Sequence, residues 1–256
     1  MSIGEIVAIA FAGLAAGTIN TIVGSGTLIT FPVLLAFGYA PVTANVSNTI
    51  GLVPGSISGA VGYRRELSGQ GRRALRLGTM SVLGGATGAV LLLVLPAAAF
   101  KAIVPVFIAL ALVLIIVQPR LNRMLAGREA KRERDSHRRE HGLVIVLAVY
   151  VTGGYGGYFG AAQGILLLGI LGAALAQDLQ RTNALKNVLA GLTNGVAGVY
   201  FIFAAHVDWA PAAIIAATSI LGAQLGARYG RKLPPAGLRG VIVVVGVGAI
   251  VRLLVA

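Results

Sequence analysis

Long apolar runs, broken at regular places by glycine and uncharged polar residues, set the layout of this chain. Ile3 to Val23 is a predominantly apolar run. At 1.5 Å per residue, ~20 such residues match the ~30 Å hydrocarbon core of a bilayer. Gly24, Ser25 and Gly26 interrupt it, and Thr27 to Gly38 follows as an apolar segment of only 12 residues. A segment of that length predicts a half-helix or a short crossing with extended flanks. Pro41 restarts the chain, and Val42 to Gly62 predicts the next span, opening on Asn45, Ser47, Asn48 and Thr49 and carrying a kink at Pro54. Further spans are predicted over Ala74 to Leu95 and Phe100 to Val117, meeting at a tight turn at Pro96. Beyond a hydrophilic stretch the pattern resumes with Leu143 to Phe159, Ile165 to Ala176, Asn183 to Ala204, Ala210 to Ala227 and Leu238 to Val255.

The second set of runs reads as a copy of the first. SVLGGATGA at Ser81 to Ala89 returns as SILGAQLGA at Ser219 to Ala227, an offset of 138 that Leu95-Pro96 and Leu233-Pro234 share, as do Asn45 and Asn183. Gly24 matches Gly160, and Gly59 matches Gly195, at an offset of 136. The expected fold class is therefore an all-α polytopic membrane protein of two tandem repeats. Each has about five membrane segments, eight to ten in total, with a Gly-broken first helix pair. The expected organisation is a first membrane repeat over residues 1–119, a basic linker over 120–141 and a second repeat over 142–256.

Composition agrees with the pattern: 57% of residues are hydrophobic, 11% are charged and the mean hydropathy is +0.87, values that a soluble domain of 256 residues does not tolerate. The net charge of +13 changes the picture only by its position. Loop 63–76 holds five arginines against Glu66, and loop 120–141 holds eight Lys or Arg against four acids. Basic residues between apolar runs are cytoplasmic anchors, so no nucleic-acid partner is expected. In the second copy the basic cluster is Arg228, Arg231 and Lys232, one span later than in the first. An odd number of crossings per repeat produces that shift, with the repeats inverted about an axis in the membrane plane and both termini outside the cytoplasm. Re-entrant short segments would instead give eight full spans and parallel repeats. With no cysteine there is no thiolate metal site and no redox pair, and no cofactor is expected.

Candidate chemistry lies at the breaks, because backbone can leave the helix at membrane depth only where protein or a watery cavity satisfies it. Apart from Glu5 and Asp178 near segment ends, the predicted spans hold no carboxylate. That disfavours a cation site and favours an anion or a neutral substrate. Helix N-termini exposed at the two breaks offer N–H donors and about half a positive charge, enough for a small anion. Gly24, Ser25, Gly26 and Thr27 would supply one side, and Gly160 to Gly164 with Gln163 the other. Asn20 precedes the first break. Asn45, Asn48 and Thr49, and in the second copy Asn183, Lys186 and Asn187, recur on one helix face. Lys186 is either a substrate ligand or a side chain that snorkels to the interface beside Arg181. The asparagines are either ligands or interhelical hydrogen-bond links. The SxLGxxxGA segments read as packing faces, and Tyr150, Tyr155, Tyr158 and Trp209 as packing or interfacial residues. Gly24-Ser25-Gly26 lacks the Gly-Lys pair and the strand context of a nucleotide loop, which excludes an ATPase on this chain alone.

A Gly-rich segment in the first apolar run of each half, a Pro soon after it, a polar start to the next helix, the loop Gly62-Tyr63-Arg64-Arg65 and a Gly-patterned helix together resemble the TauE/SafE sulfite exporter family, DUF81. The resemblance covers essentially Gly13 to Val255. The family's G-x-G-G-G run and following Pro are kept only in part by Gly24-Ser25-Gly26-Thr27 and Phe31-Pro32, and Gly160-Ala161-Ala162-Gln163-Gly164 departs further. The resemblance implies a secondary transporter or permease in a bacterial inner membrane, with basic loops 63–76 and 120–141 cytoplasmic. It implies export of small sulfur-containing anions such as sulfite, sulfoacetate or other organosulfonates, with a proton or the membrane potential as coupling partner. Oligomeric state stays open, including a homo-oligomer. The alternatives are a passive anion channel or, with less support, a membrane enzyme or assembly factor.

Overall fold

The computed structural model describes residues 1–132, 142–175 and 177–229, with six further helical positions between 240 and 250. The described residues are helical and their connections short. In order the helices are α1 (Ile3–Ile22), α2 (Thr27–Ala36), α3 (Pro41–Gly62), α4 (Gly71–Val94), α5 (Ala97–Arg132), α6 (Gly142–Tyr158), α7 (Gln163–Ala174), α8 (Leu179–Ala204) and α9 (Trp209–Tyr229). Five of them, α1, α4, α5, α8 and α9, are both long and apolar enough to cross a membrane. The chain is thus a polytopic membrane protein. The expected span Leu238 to Val255, and the expected landmarks Arg231, Lys232 and Leu233-Pro234, lie wholly or largely outside the described residues.

Local chemistry places the helix ends. Ser2 and Glu5 form a reciprocal capping box at the start of α1. Pro41 opens α3, where its missing N–H costs nothing, and the Asp178 carboxylate accepts the Arg181 N–H at the start of α8. Pro54 lies inside α3, which runs unbroken through it. α5 continues past Pro119 to Arg132, so the first half of the segment expected as a linker is helical.

The order long, short, long, long occurs twice, as α1 to α4 and as α6 to α9, and the ends of the first helix of each set are alike. The N–H groups of Val23 and Gly24 both donate to the Ile19 carbonyl; those of Phe159 and Gly160 both donate to the Tyr155 carbonyl. Gly24 and Gly160 then take left-handed backbone, at φ 86° and 76°, the usual way for glycine to end a helix. Ala162 also sits at φ 59° and completes the second turn.

Small residues fix which helices touch and in which direction. A Cβ on Gly17 would meet the Ser219 carbonyl oxygen at 2.2 Å, and one on Gly222 the Leu14 carbonyl oxygen at 2.0 Å, so α1 and α9 pack backbone to backbone. α4 and α6 do the same through Gly84 against Tyr150 and Gly88 against Gly154. Numbers rise together along these seams: Gly51, Gly55 and Gly62 of α3 face Ile215, Ser219 and Ala227 of α9. Hence α1, α3 and α9 run one way. α4, α6 and α8 run the other way: Gly78 and Gly85 of α4 face Leu192 and Val196 of α8 in rising order, whereas Gly191 and Gly198 of α8 face Ser56 and Val53 of α3 in falling order. The main apolar core gathers Phe31, Phe100 and Phe159 with Tyr158, ring against ring, where α2, α5 and α6 meet. The expected packing role of Tyr158 is seen there, whereas Trp209 is exposed.

A polar centre at the two helix breaks

α1 does not stop at its break without consequence. Its last carbonyls have no further turn to bond to, and buried acceptors of that kind need partners. α8 supplies them. Asn183 and Asn187 donate their side-chain amides to the Thr21 carbonyl, each at 3.3 Å, and the Lys186 ammonium donates to the carbonyls of Asn20 and Thr21, each at 3.2 Å. Lys186 is 0% exposed. It does not snorkel, and it is balanced by the negative end of the α1 dipole. On the other side Asn45 of α3, at the position that the offset of 138 pairs with Asn183, donates to the Tyr158 carbonyl that ends α6, at 3.0 Å. Each polar helix therefore reaches across to the end of the other set's broken helix.

Asn48 turns instead toward the short helix of its own set. It accepts from the Thr30 hydroxyl and donates to Thr27 Oγ1 at 3.4 Å. Thr49 is buried beside it. Asn20 points out of the end of α1 and donates to Ser56 Oγ at 3.4 Å.

The two breaks themselves meet. The Gly164 N–H donates to the Gly24 carbonyl at 3.0 Å, and a Cβ on either glycine would meet the other's Cα at 2.4 Å. The N–H groups of Leu28 and Ile29 bond back to Ser25 and Gly26, and those of Gln163 and Ile165 to Gly160 and Ala162. Of the donors that the sequence offered for an anion, the N–H groups of Gly24, Gly160, Gln163 and Gly164 are spent on the protein in this conformation. Two side chains at the breaks keep capacity: Ser25 Oγ and Gln163 Nε2 are buried without partners, as are Asn45 Oδ1 and Asn183 Oδ1. The Gln163 amide fills the space left by the absent side chain of Gly156.

A cavity of about 540 Å³ opens between α3 and α8. Val53, Ile57, Val61, Val188 and Leu192 form its walls, Arg64 and Leu67 stand at one end, and Ser56 and Asn187 contribute polar groups to its lining. Through Ser56 it adjoins Asn20, and through Asn187 the Lys186 cluster. Of the residues expected from sequence, Asn20, Asn183, Lys186 and Asn187 are thus gathered at one cluster, and Thr27 and Asn48 at a second. Gly24 pairs with Gly164, and Gly160, Gln163 and Asn45 lie nearer the end of α6. Ser56, Thr21 and Thr30 were not expected. Ser56 follows Asn48 at two helical turns and could have been found by extending the polar face; Thr21 acts through its backbone, which no side-chain pattern marks.

Long apolar helices around buried asparagines, a buried lysine and two facing breaks define a membrane transporter. The chain belongs to the sulfite exporter TauE/SafE family, whose model matches residues 9–253. It is 29% identical over 241 residues to "Probable membrane transporter protein YfcA" of Escherichia coli K12, covering 92% of this chain and 84% of that one. It is 30% identical over 246 residues to "Probable membrane transporter protein ORF9" of Sinorhizobium sp, covering 95% and 90%. A relative in Haemophilus influenzae Rd, also named as a probable membrane transporter protein, is 29% identical over 230 residues. No solved structure matches significantly.

Proposed function

We propose that this protein is a secondary transporter that exports small anions, sulfite or organosulfonates, by alternating access around the polar centre. The observation that carries the reading is the cavity between α3 and α8, with Arg64 at one end and Ser56 and Asn187 in its lining. In this reading Asn20, Ser56 and Asn187 bind the substrate, and Lys186 supplies positive charge while holding the α1 end. Gly24, Ser25, Gly26, Thr27, Gly160 and Gln163 form the contact between the two breaks, which separates and re-forms during the cycle; Asn45, Asn48, Thr49 and Asn183 hold the helices that flank it. A proton or the membrane potential supplies the coupling. The family name supports the substrate class, and the buried polar residues gathered at the centre, none of them Asp or Glu, support an anion.

Two inverted halves, 1–119 and 142–256, joined by 120–141, account for the opposed directions of α1 and α6 and for the exchanged asparagine contacts. The α1–α2 pair returns to its starting side, as the Tyr39–Glu5 hydrogen bond at 2.6 Å supports. This orientation gathers Arg64, Arg72, Arg73, Arg76, Arg181 and Arg228 at one end, which the positive-inside rule assigns to the cytoplasm of a bacterial inner membrane. Glu5 and Asp208 stand at the other end. The cavity beside Arg64 then faces the cytoplasm, as an exporter's loading state requires.

The test is ligand-induced stabilisation of purified protein against sulfite, thiosulfate, sulfoacetate, taurine, sulfate and acetate. A ligand at a hundredfold its dissociation constant adds ~2.7 kcal/mol. Stabilisation by a sulfur oxyanion, abolished in Asn187→Ala, is the expected result; stabilisation only by a neutral or cationic compound overturns it. Saturable counterflow in vesicles separates a transporter from a channel.

A further inference from the structure

We infer that the cavity between α3 and α8 takes an amphipathic monoanion, an anionic head group carrying an uncharged hydrocarbon portion of several carbons, in preference to a bare oxyanion such as sulfite. The inference rests on the transport reading above and narrows its substrate. Volume is the first reason. Water occupies ~30 Å³ per molecule in the liquid, so a cavity of about 540 Å³ has room for roughly 18 waters, and sulfite would leave most of it unfilled. Lining chemistry is the second. Apart from Ser56, Arg64 and Asn187 the walls are hydrocarbon and glycine. The Ser56 hydroxyl donates to the Leu52 carbonyl at 3.0 Å and accepts from Asn20, while the Asn187 amide donates to the Thr21 carbonyl. The Lys186 ammonium is turned to the end of α1. A bare oxyanion at this depth would lose its water and find few donors in return, which burial of a charge does not tolerate. At the other end Arg64 is exposed and spends one of its five N–H donors on the Val61 carbonyl at 3.4 Å, so a head group is held there beside water.

The glycines of α8 give a third reason. At the helix seams a Cβ on Gly17, Gly84, Gly88 or Gly222 would strike backbone at 2.2 Å or less, so glycine is there for packing. A Cβ on Gly195 meets nothing within 4 Å, and one on Gly191, a turn earlier, comes no closer than 3.5 Å to Ser56. Both glycines line the cavity. No neighbour demands glycine at either position, and glycine weakens a helix interior. Their effect is to keep the cavity wide over one turn of α8, where a larger side chain would fill it. A hydrocarbon portion laid against Val53, Ile57, Val188 and Val196 gains burial that a bare oxyanion cannot.

Full-length protein in detergent, titrated with sulfite, with methane-, butane- and hexanesulfonate and with hexyltrimethylammonium, tests this by melting temperature. Affinity is expected to rise about fourfold per methylene along the sulfonates, the transfer value of a buried CH₂, with sulfite weakest. Gly195→Leu is expected to erase the gain beyond butanesulfonate while its melting temperature without ligand stays at or above wild type. Arg64→Gln is expected to weaken every sulfonate about tenfold. A flat series, or sulfite as strong as hexanesulfonate, overturns the inference and leaves the anion transporter standing; a response to none of the anions removes both. Ile57 and Val61 are also exposed on the lipid side, so an acyl chain is the competing occupant. Hexyltrimethylammonium matching hexanesulfonate, or phosphatidylglycerol displacing hexanesulfonate and stabilising wild type but not Gly195→Leu, assigns the cavity to such a chain and overturns the inference. The wild-type series decides the matter by itself should Gly195→Leu not fold.

Discussion

Replacing Lys186 with methionine removes the ammonium and keeps an unbranched chain of similar length. The ammonium makes two bonds to carbonyls at 3.2 Å, and hydrogen bonds to a charged group contribute about 1.5–3 kcal/mol each. Against this stands the desolvation of a fully buried cation, several kcal/mol after relaxation, partly offset by the C-terminal dipole of α1. In the variant the Thr21 carbonyl keeps the amides of Asn183 and Asn187, while the Asn20 carbonyl loses its lysine donor. One orphaned carbonyl costs about 1–3 kcal/mol, and that is the expected net loss. For a chain of this size it corresponds to a fall in melting temperature of roughly 2–12 °C. The assay is a thermal melt in detergent with and without the stabilising anion. A melting temperature at or above wild type, together with complete loss of anion response, would show that Lys186 is a free substrate ligand and refute its role as the cap of α1.

Gly164→Ala places a Cβ 2.4 Å from the Gly24 Cα, so the breaks must separate; flux in vesicles should fall at least tenfold while circular dichroism stays helical, and wild-type flux would contradict the contact between the breaks. Gly222→Leu puts a side chain where a Cβ already meets the Leu14 carbonyl oxygen at 2.0 Å, and should cost at least ~1–3 kcal/mol, seen as a lower melting temperature or lost expression. Burial, then the hydrogen bond to Glu5, then the charges of Glu5 and Asp208 raise the Tyr39 hydroxyl above its ordinary range. The folded state thus keeps a proton that the unfolded chain releases near pH ~10, and stability falls as pH rises beyond that point. Tyr39→Phe should flatten this alkaline loss in melting curves from pH ~9 to ~11.5, and an identical slope would remove Tyr39 as its source. Because the chain lacks cysteine, Ser56→Cys and His206→Cys can be labelled cleanly. A membrane-impermeant thiol reagent should reach Ser56→Cys from the cytoplasmic side and His206→Cys from the opposite side, and the reverse pattern would invert the orientation.

Much of the architecture is legible in the sequence because a bilayer restricts the choices. Ile3 to Val23 and Asn183 to Ala204 read as helices by length and hydropathy alone, and Gly24 and Gly160 mark real left-handed turns. Membership of the TauE/SafE family was legible from motif order, although each motif is weak. The pairing of the broken helices with the opposite set was not. It depends on backbone carbonyls at Thr21 and Tyr158 and on approaches between glycines, and neither leaves a side-chain signature. Lys186 shows the limit well. A lysine four residues into an apolar run announces that something must neutralise it, but not which partner, and the one it meets is a helix end 166 residues away in the chain.

The glycine seams have a further consequence for how such a chain can be divided. α1 is packed against α9 and α6 against α4, so the opening helix of each set rests on the closing helix of the other. Each set of helices thus supplies the partner that the other set's opening helix needs. Cut at residues 133–141, neither fragment would present a finished surface to lipid, and each would expose a bare furrow of glycine backbone fitted to the other. Co-expressed fragments should therefore recover one another where single ones are degraded.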